Sequence, residues 1–145
     1  MNDFTIKYNT FDADEFRYLW SAVWGEPPAY EQVKLALDHT LFRVGIYDGT
    51  SIIAMARVIG DLGMCYYIKD VIVHPDYQGR GTGRVLINEI LRYIRENGVP
   101  GTHIFTELCA MPDKIPFYEK FGFSANEAQR LRKMVQVPET EQSET

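Results

Sequence analysis

A glycine-rich segment, Gln78 to Arg84, is the part of the chain best suited to chemistry. It follows an apolar run and leads into a segment whose apolar residues recur every three or four positions, which predicts a strand, a turn and a helix. Glycines let the backbone adopt positive φ, and the first turn of a helix leaves amides without partners. A phosphate placed there accepts backbone hydrogen bonds and meets the positive end of the helix dipole. The segment therefore predicts an anion site, to which the side chain of Arg80 adds positive charge.

The spacing of the glycines narrows the class of phosphate ligand. A dinucleotide fingerprint needs G-x-G-x-x-G, whereas Gly79, Gly81 and Gly83 are spaced G-x-G-x-G, and no acidic residue stands about twenty positions further on at the end of a second strand. A P-loop needs a lysine followed by Ser or Thr after its second glycine, but here Arg84 and Val85 follow Gly83. Both of these nucleotide motifs fit badly.

The pattern that fits is Q-x-x-G-x-G, formed by Gln78, Gly81 and Gly83. It resembles the acetyl-coenzyme A motif of the GNAT superfamily of N-acetyltransferases. The preceding Val-Ile-Val-His-Pro-Asp-Tyr (71–77) resembles the family's fourth strand and its exit, and Phe-Tyr-Glu-Lys-Phe-Gly-Phe (117–123) resembles its second signature. Together with the intervening helix and strand, the resemblance extends over about residues 40–125.

The resemblance implies an α/β fold of the GNAT type, with a mixed, mostly antiparallel, splayed sheet of about six to seven strands and about four helices. Strands four and five of that sheet part, and the pantetheine arm of acetyl-coenzyme A (acetyl-CoA) lies between them. The residues that the resemblance places against this co-substrate are Val71, Ile72 and Val73 for the arm, Gln78, Gly79, Arg80, Gly81, Thr82 and Gly83 for the pyrophosphate, and Arg84 for a further phosphate.

The same resemblance implies that an amine attacks the thioester carbonyl directly and that the leaving thiolate takes up a proton. Tyr118 matches the tyrosine that often supplies this proton. A phenol has a pKa near ~10 and a thiol near ~8.5, so the transfer needs no large environmental shift. The alternative interpretation of Tyr118 is an aromatic packing residue beside Phe117 and Phe121.

The attacking amine must also lose a proton, and two carboxylates are candidate bases, directly or through water. Asp70 lies on the fourth predicted strand and Glu107 on the fifth. Alternation places Tyr67 and Lys69 on the face opposite to Asp70, but a bulge in this strand would re-aim them. A hydrogen-bonding role for Asp70 that serves only the structure stays open.

Two further positions bear on the site. His74 has a side chain that titrates near neutral pH, yet a histidine before Pro75 at a strand end is more often a packing or turn residue. Many family members carry an asparagine seven residues before the tyrosine, where it holds the pantetheine, and this chain has Met111 there. Contacts from that loop to the co-substrate must therefore differ or be absent.

Periodicity and turn signals predict the remaining elements. Asp12 and Asp14 precede an apolar helix face that runs from Phe16 to Trp24 and is broken by Gly25, and a second short helix ends before His39. The other predicted elements are strands at 4–8, 41–47, 51–59, 64–73, 103–108 and 130–137, and helices at 83–97 and 113–121.

Length and composition predict one domain over residues 1–138, which the resemblance identifies as an acetyltransferase domain, followed by an acidic, mobile tail over 139–145. The net charge is -5, and the chain lacks the clustered basic residues with which a nucleic-acid binder contacts phosphates. No apolar run reaches the ~20 residues of a membrane span, and no signal-peptide profile begins the chain, so we expect a cytoplasmic protein. Cys65 and Cys109 are interpreted as buried free thiols, and no metal site is expected.

The function that the sequence favours is acetyl transfer from acetyl-CoA to a primary amine of a small molecule, such as an arylalkylamine, a polyamine or an amino sugar. A protein or peptide acceptor is the first alternative. A sensor or regulatory module that binds acetyl-CoA without turnover is the second, although Tyr118 argues against it because a sensor needs no proton donor. A homodimer is left open.

Overall fold

Five strands and four α-helices form within residues 3–125 and 133–139, the parts of the chain that the computed structural model describes. The chain divides into two compact units, Met1–Ala110 and Met111–Thr145. The elements of the first unit are β1 (Thr5–Tyr8), α1 (Ala13–Trp24), α2 (Tyr30–Asp38), β2 (Phe42–Asp48), β3 (Ser51–Gly60), β4 (Cys65–Val73), α3 (Thr82–Asn97) and β5 (Phe105–Leu108). The second unit contains α4 (Ile115–Glu119). Short 3-10 turns lie at Pro75–Tyr77 and Pro112–Lys114.

The five strands form one sheet in the order β1-β2-β3-β4-β5. The first three pairings are antiparallel, whereas β4 and β5 are parallel and are connected through α3. A parallel pair needs such a crossover because a short turn cannot bring the chain back to the starting edge. The mixed, mostly antiparallel sheet expected from the sequence is confirmed.

The helices of the first unit cover the two faces of this sheet. Helix α1 starts at a capping box, in which Asp12 accepts from the Glu15 amide at 2.9 Å, and it buries Phe16 against residues such as Met55 and Ile72. Helix α3 lies on the other face, where Tyr93 stacks on Phe42 with ring centroids 4.4 Å apart. None of the helices among the described residues is long and apolar enough to cross a membrane.

Strand β4 extends well beyond its parallel partner. The pairs between β4 and β5 run from Cys65↔Phe105 to Ile68↔Leu108, where β5 ends. The chain of β4 continues to Val73, and Ile72 and Val73 pair only with β3 within the described residues. One edge of residues 69–73 is therefore left open by the sheet, at the position where the sequence predicts the splay.

The strand predicted at 130–137 does not form over residues 133–137, which belong to no helix or strand, and residues 130–132 lie outside the described residues. The side chains of Met134, Val135 and Val137 are largely exposed, so the alternation of this segment has no sheet face to follow. The described sheet has five strands rather than six or seven. Of the predicted acidic tail, residues 140–145 also lie outside the described residues.

The interpretation of the two cysteines as buried was wrong, because both thiols are free and exposed. Apolar neighbours suggested burial, but neighbours in a strand point to opposite faces. In β4 the inward position belongs to Tyr66, which is 2% exposed, so Cys65 points outward. Cys109 follows the last residue of β5.

Candidate functional site

The turn between β4 and α3 adopts a conformation that requires glycine at two positions. Gly79 and Gly81 have φ of +79° and +83°, and Gly81 is the N-cap of α3. A Cβ added at either glycine meets no heavy atom within 4 Å. The glycines are thus needed for the backbone conformation, and the space beside them is open to a ligand.

The amides at this turn have no acceptors in the described part of the chain. The first hydrogen bond of α3 runs from the Val85 amide to the Gly81 carbonyl at 3.2 Å, and no side chain caps the helix. The backbone N–H groups of residues 79–84 donate to no acceptor among the described residues. The first turn of α3 also contains no acidic residue. Such a cluster of free N–H groups at a helix N-terminus favours an anion.

Side chains around the turn fix its position relative to the sheet. The Gln78 amide donates from Nε2 to the Val73 carbonyl at 3.1 Å, which joins the turn to the end of β4. The Tyr77 hydroxyl donates to Asp48 at 2.7 Å, and this hydrogen bond raises the pKa of Tyr77. The Arg80 guanidinium lies 5.1 Å from the centre of the Tyr77 ring, outside any ion pair with a described residue.

A bulge interrupts β4 at Asp70. Met55 of β3 pairs with Ile72 and Arg57 pairs with Lys69, so two residues of β4 stand opposite one residue of β3. Asp70 has φ of +55°, a left-handed conformation that aspartate tolerates better than most residues. The expectation that a bulge would re-aim these side chains is confirmed, since Lys69 and Asp70 line the same pocket.

Asp70 forms an ion pair with Arg57 of β3. The Nε of Arg57 donates to Oδ2 of Asp70 at 2.6 Å, and the two side chains are only 14% and 8% exposed. The Nη1 of Arg57 donates to the Thr40 hydroxyl at 3.2 Å. The hydrogen-bonding role considered for Asp70 is thus present in the structure. Buried partners of this kind are costly to separate.

The pocket that Asp70 lines has a volume of about 170 Å³ and lies between helices α1 and α2 and the sheet. Phe16 and Trp20 of α1 form an aromatic wall. Arg57 of β3, with Lys69 and Asp70 of β4, supplies its charged groups. Because Asp70 directly precedes Val71, this pocket adjoins the part of β4 that has no β5 partner. The turn with the free amides and this pocket therefore lie along a single strand.

Two other candidate residues occupy different surroundings. Glu107 is exposed on β5 opposite Tyr67 in the strand pairing, and it does not line the pocket. The Nδ1 of His74 accepts from the Asp76 amide at 3.1 Å, and its ring stacks on Tyr18. The packing and turn interpretation of His74 agrees with these contacts. Asp70 is thus the only carboxylate among the described residues that line the pocket.

Tyr118 lies in α4 of the second unit. Its ring is 5.0 Å from that of Phe117 and 6.2 Å from that of Phe123, centre to centre. Burial among these rings raises the pKa of the Tyr118 phenol above its usual value. The side chain is therefore a protonated phenol at neutral pH.

Met111, which replaces the expected asparagine, has a largely exposed side chain.

Sequence reasoning missed Arg57 and the aromatic wall. Arg57 is the only charged residue in the run from Ile52 to Ile59, and a lone charge in an otherwise apolar strand signals a buried partner. The sequence alone therefore contained a signal for the buried partner of Arg57. Trp20 belongs to the apolar face of α1, and this spacing alone does not distinguish a core residue from a pocket wall.

Comparison with known proteins identifies the family to which the chain belongs. The Acetyltransferase (GNAT) family model matches residues 8–123. An uncharacterized N-acetyltransferase, ycf52, from Porphyra purpurea is 33% identical over 107 residues, which cover 71% of this chain and 59% of that protein. Glucosamine 6-phosphate N-acetyltransferase from Trypanosoma brucei brucei is 38% identical over 63 residues, or 43% of this chain and 40% of that protein.

A solved structure of a probable acetyltransferase from meticillin-resistant Staphylococcus aureus superposes with a TM-score of 0.82 at 28% identity, covering 92% of this chain and 99% of that one. The chain spans about three fifths of the length of the ycf52 relative. The family match extends over most of the chain and includes the β4–α3 turn, the pocket and the aromatic segment around Tyr118. The chain belongs to the acetyltransferase (GNAT) family.

Proposed function

We propose that the protein transfers the acetyl group of acetyl-CoA to a primary amine of a small molecule. The observation that carries this proposal is the row of free amides from Gly79 to Arg84, next to a strand whose edge is open. A diphosphate satisfies these amides, and Arg80 and Arg84 add charge toward it. The open edge of Val71 to Val73 offers backbone groups to the pantetheine arm.

In the proposed reaction the amine nitrogen attacks the acetyl carbonyl carbon and the carbon–sulfur bond breaks. The nitrogen loses one proton, and the thiolate of coenzyme A gains one. Asp70 is the proposed base, acting through water, because it is the carboxylate that faces the pocket. Tyr118 is the proposed acid, since its raised pKa keeps the phenol protonated.

The pocket volume of about 170 Å³ supports a small acceptor. Pockets for drug-sized ligands usually enclose roughly 300–1,000 Å³, so this one suits the reactive end of a compact molecule. The similarity to a glucosamine 6-phosphate N-acetyltransferase, which covers less than half of this chain, also supports a small acceptor.

The proposal is tested by calorimetric titration of the protein with coenzyme A and by thiol release from acetyl-CoA with a panel of small primary amines. We expect coenzyme A to bind and at least one amine to accelerate thiol release far above the rate of hydrolysis. Binding without acceleration by any amine would instead favour the sensor, and absence of binding would contradict both functions.

The proposed base is tested by replacing Asp70 with asparagine. Asparagine also tolerates a left-handed backbone and still accepts a hydrogen bond from Arg57, so the local geometry is kept, but the unbalanced charge of Arg57 lowers the free energy of unfolding by roughly 3–5 kcal/mol. We expect kcat/KM at pH 7 to fall roughly tenfold, less than the usual 10²–10⁴ because water can still remove the proton.

Glu107→Gln is the matched control for this experiment, because it removes the same charge from a carboxylate outside the pocket. We expect its kcat/KM to stay within about twofold of the original value. If Glu107→Gln loses activity and Asp70→Asn retains it, Glu107 is the base and the assignment to Asp70 is wrong.

A further inference from the structure

Lys69 of β4 carries a positive charge that has no ion-pair partner among the described residues. Its side chain is half-buried and lines the pocket between α1, α2 and the sheet. Within the described residues no carboxylate lies close enough to form an ion pair with it, and its Nζ lies 5.6 Å from the centre of the Tyr67 ring. By contrast, Lys34 on the outer side of α2 pairs with Asp38 at 3.6 Å. An ammonium group drawn partly out of water without a partner is costly, which favours an anionic ligand.

The other charged groups of the pocket do not cancel this charge. Asp70 faces the pocket, but its Oδ2 is bound to Arg57 at 2.6 Å, so these two charges offset each other. The guanidinium of Arg57 also retains Nη2 without an acceptor among the described residues. The remaining lining residues are uncharged. The charges of Arg57, Lys69 and Asp70 therefore give the pocket a net charge of about one positive unit at neutral pH.

We infer that the acceptor is a small amine that also carries an acidic group, and that Lys69 binds this group. The inference rests on the proposed acetyl transfer and specifies its acceptor. A carboxylate or a phosphate monoester provides the required oxygens, and Nη2 of Arg57 offers a second donor. The same positive charge favours the neutral, nucleophilic form of the acceptor amine, because a nearby cation disfavours an ammonium. Lys69 is thus a residue that determines acceptor specificity.

The test compares the affinity of matched amines for the protein saturated with coenzyme A, measured by calorimetry. One pair is phenylalanine and phenylalaninamide, and the other is phosphoethanolamine and ethanolamine. We expect the acid-bearing member of at least one pair to bind at least tenfold more tightly. The pair that shows the preference distinguishes a carboxylate from a phosphate as the acidic group.

Variants of two lysines assign this preference to the pocket. Lys69→Gln is expected to reduce it to less than about threefold, and Lys34→Gln, which removes the same charge outside the pocket, is expected to leave it unchanged. Equal binding within both pairs, no binding of either acid-bearing amine, or a preference that survives Lys69→Gln would overturn the inference.

A separate measurement keeps this result distinct from the proposed function. Two quantities are measured on the original protein and on Lys69→Gln. They are the affinity for coenzyme A and the rate of thiol release with amines that carry no acidic group. If the protein acetylates amines that carry no acidic group and shows no preference for such a group, the role proposed for Lys69 is wrong, but the proposed acetyl transfer is retained. If coenzyme A does not bind, the proposed function itself fails.

Discussion

Replacing Gly81 with valine is expected to weaken coenzyme A binding on the order of 100-fold. Gly81 has φ of +83° and caps α3 beside the free amides, with open space where its Cβ would stand. A β-branched residue is strained in this conformation and moves the amides out of alignment. Losing two hydrogen bonds to a charged phosphate costs about 3 kcal/mol, which corresponds to roughly this change in affinity.

Gly101→Val is the control for Gly81→Val. Gly101 has the same φ of +83° and the same open surroundings, but it lies in the connection between α3 and β5, beyond the other end of the helix. Both variants should lower the free energy of unfolding by a similar amount, measured by chemical denaturation. Only Gly81→Val should alter the dissociation constant for coenzyme A, measured by calorimetry. Equal affinities in the two variants would show that the turn does not bind the diphosphate.

Replacing Tyr118 with phenylalanine is expected to lower kcat about 100-fold, the lower end of the range for loss of a general acid. Phenylalanine preserves the packing against Phe117 and Phe123, so only the hydroxyl is lost. Because we propose that the hydroxyl acts only when the thiolate leaves, the affinity for acetyl-CoA should stay within about twofold. Thiol release under saturating conditions measures kcat, and calorimetry measures the affinity.

The pH dependence provides a second readout for Tyr118. Burial raises the pKa of this phenol, so its proton is retained through neutral and mildly alkaline pH and is lost only above the ordinary value near ~10. In the original protein kcat should therefore fall at strongly alkaline pH, and the residual kcat of Tyr118→Phe should lack that fall. Tyr30→Phe, on an exposed tyrosine of α2, should behave like the original protein. A Tyr118→Phe variant with unchanged kcat at every pH would remove this residue from the mechanism.

Much of the fold was predictable because its signals are local. The apolar spacing of Leu86, Ile87 and Ile90 predicted α3, and all three side chains are fully buried. The glycines before it predicted the turn, since a positive φ at Gly79 and Gly81 is a local requirement. The strands followed from turn residues and alternation.

The parts that escaped prediction depend on contacts between distant segments. Arg57 and Asp70 are 13 residues apart, and only the pairing of β3 with β4 brings them together. The direction of Asp70 depends on the bulge, and alternation alone cannot locate an inserted residue. The segment 130–137 alternates in sequence as a strand does, but its described residues, 133–137, join no sheet edge.

The inserted residue in β4 has a consequence for how new acceptors arise. On its N-terminal side Lys69 lines the pocket that we propose for the acceptor, so we expect substitution there to change which molecule is accepted. On its C-terminal side, Val71 to Val73 present main-chain groups, which every amino acid except proline supplies alike. If the proposed sites are right, mutations that change the choice of acceptor leave recognition of the acyl donor largely unaffected, and such a chain can diversify its acceptors while keeping its donor.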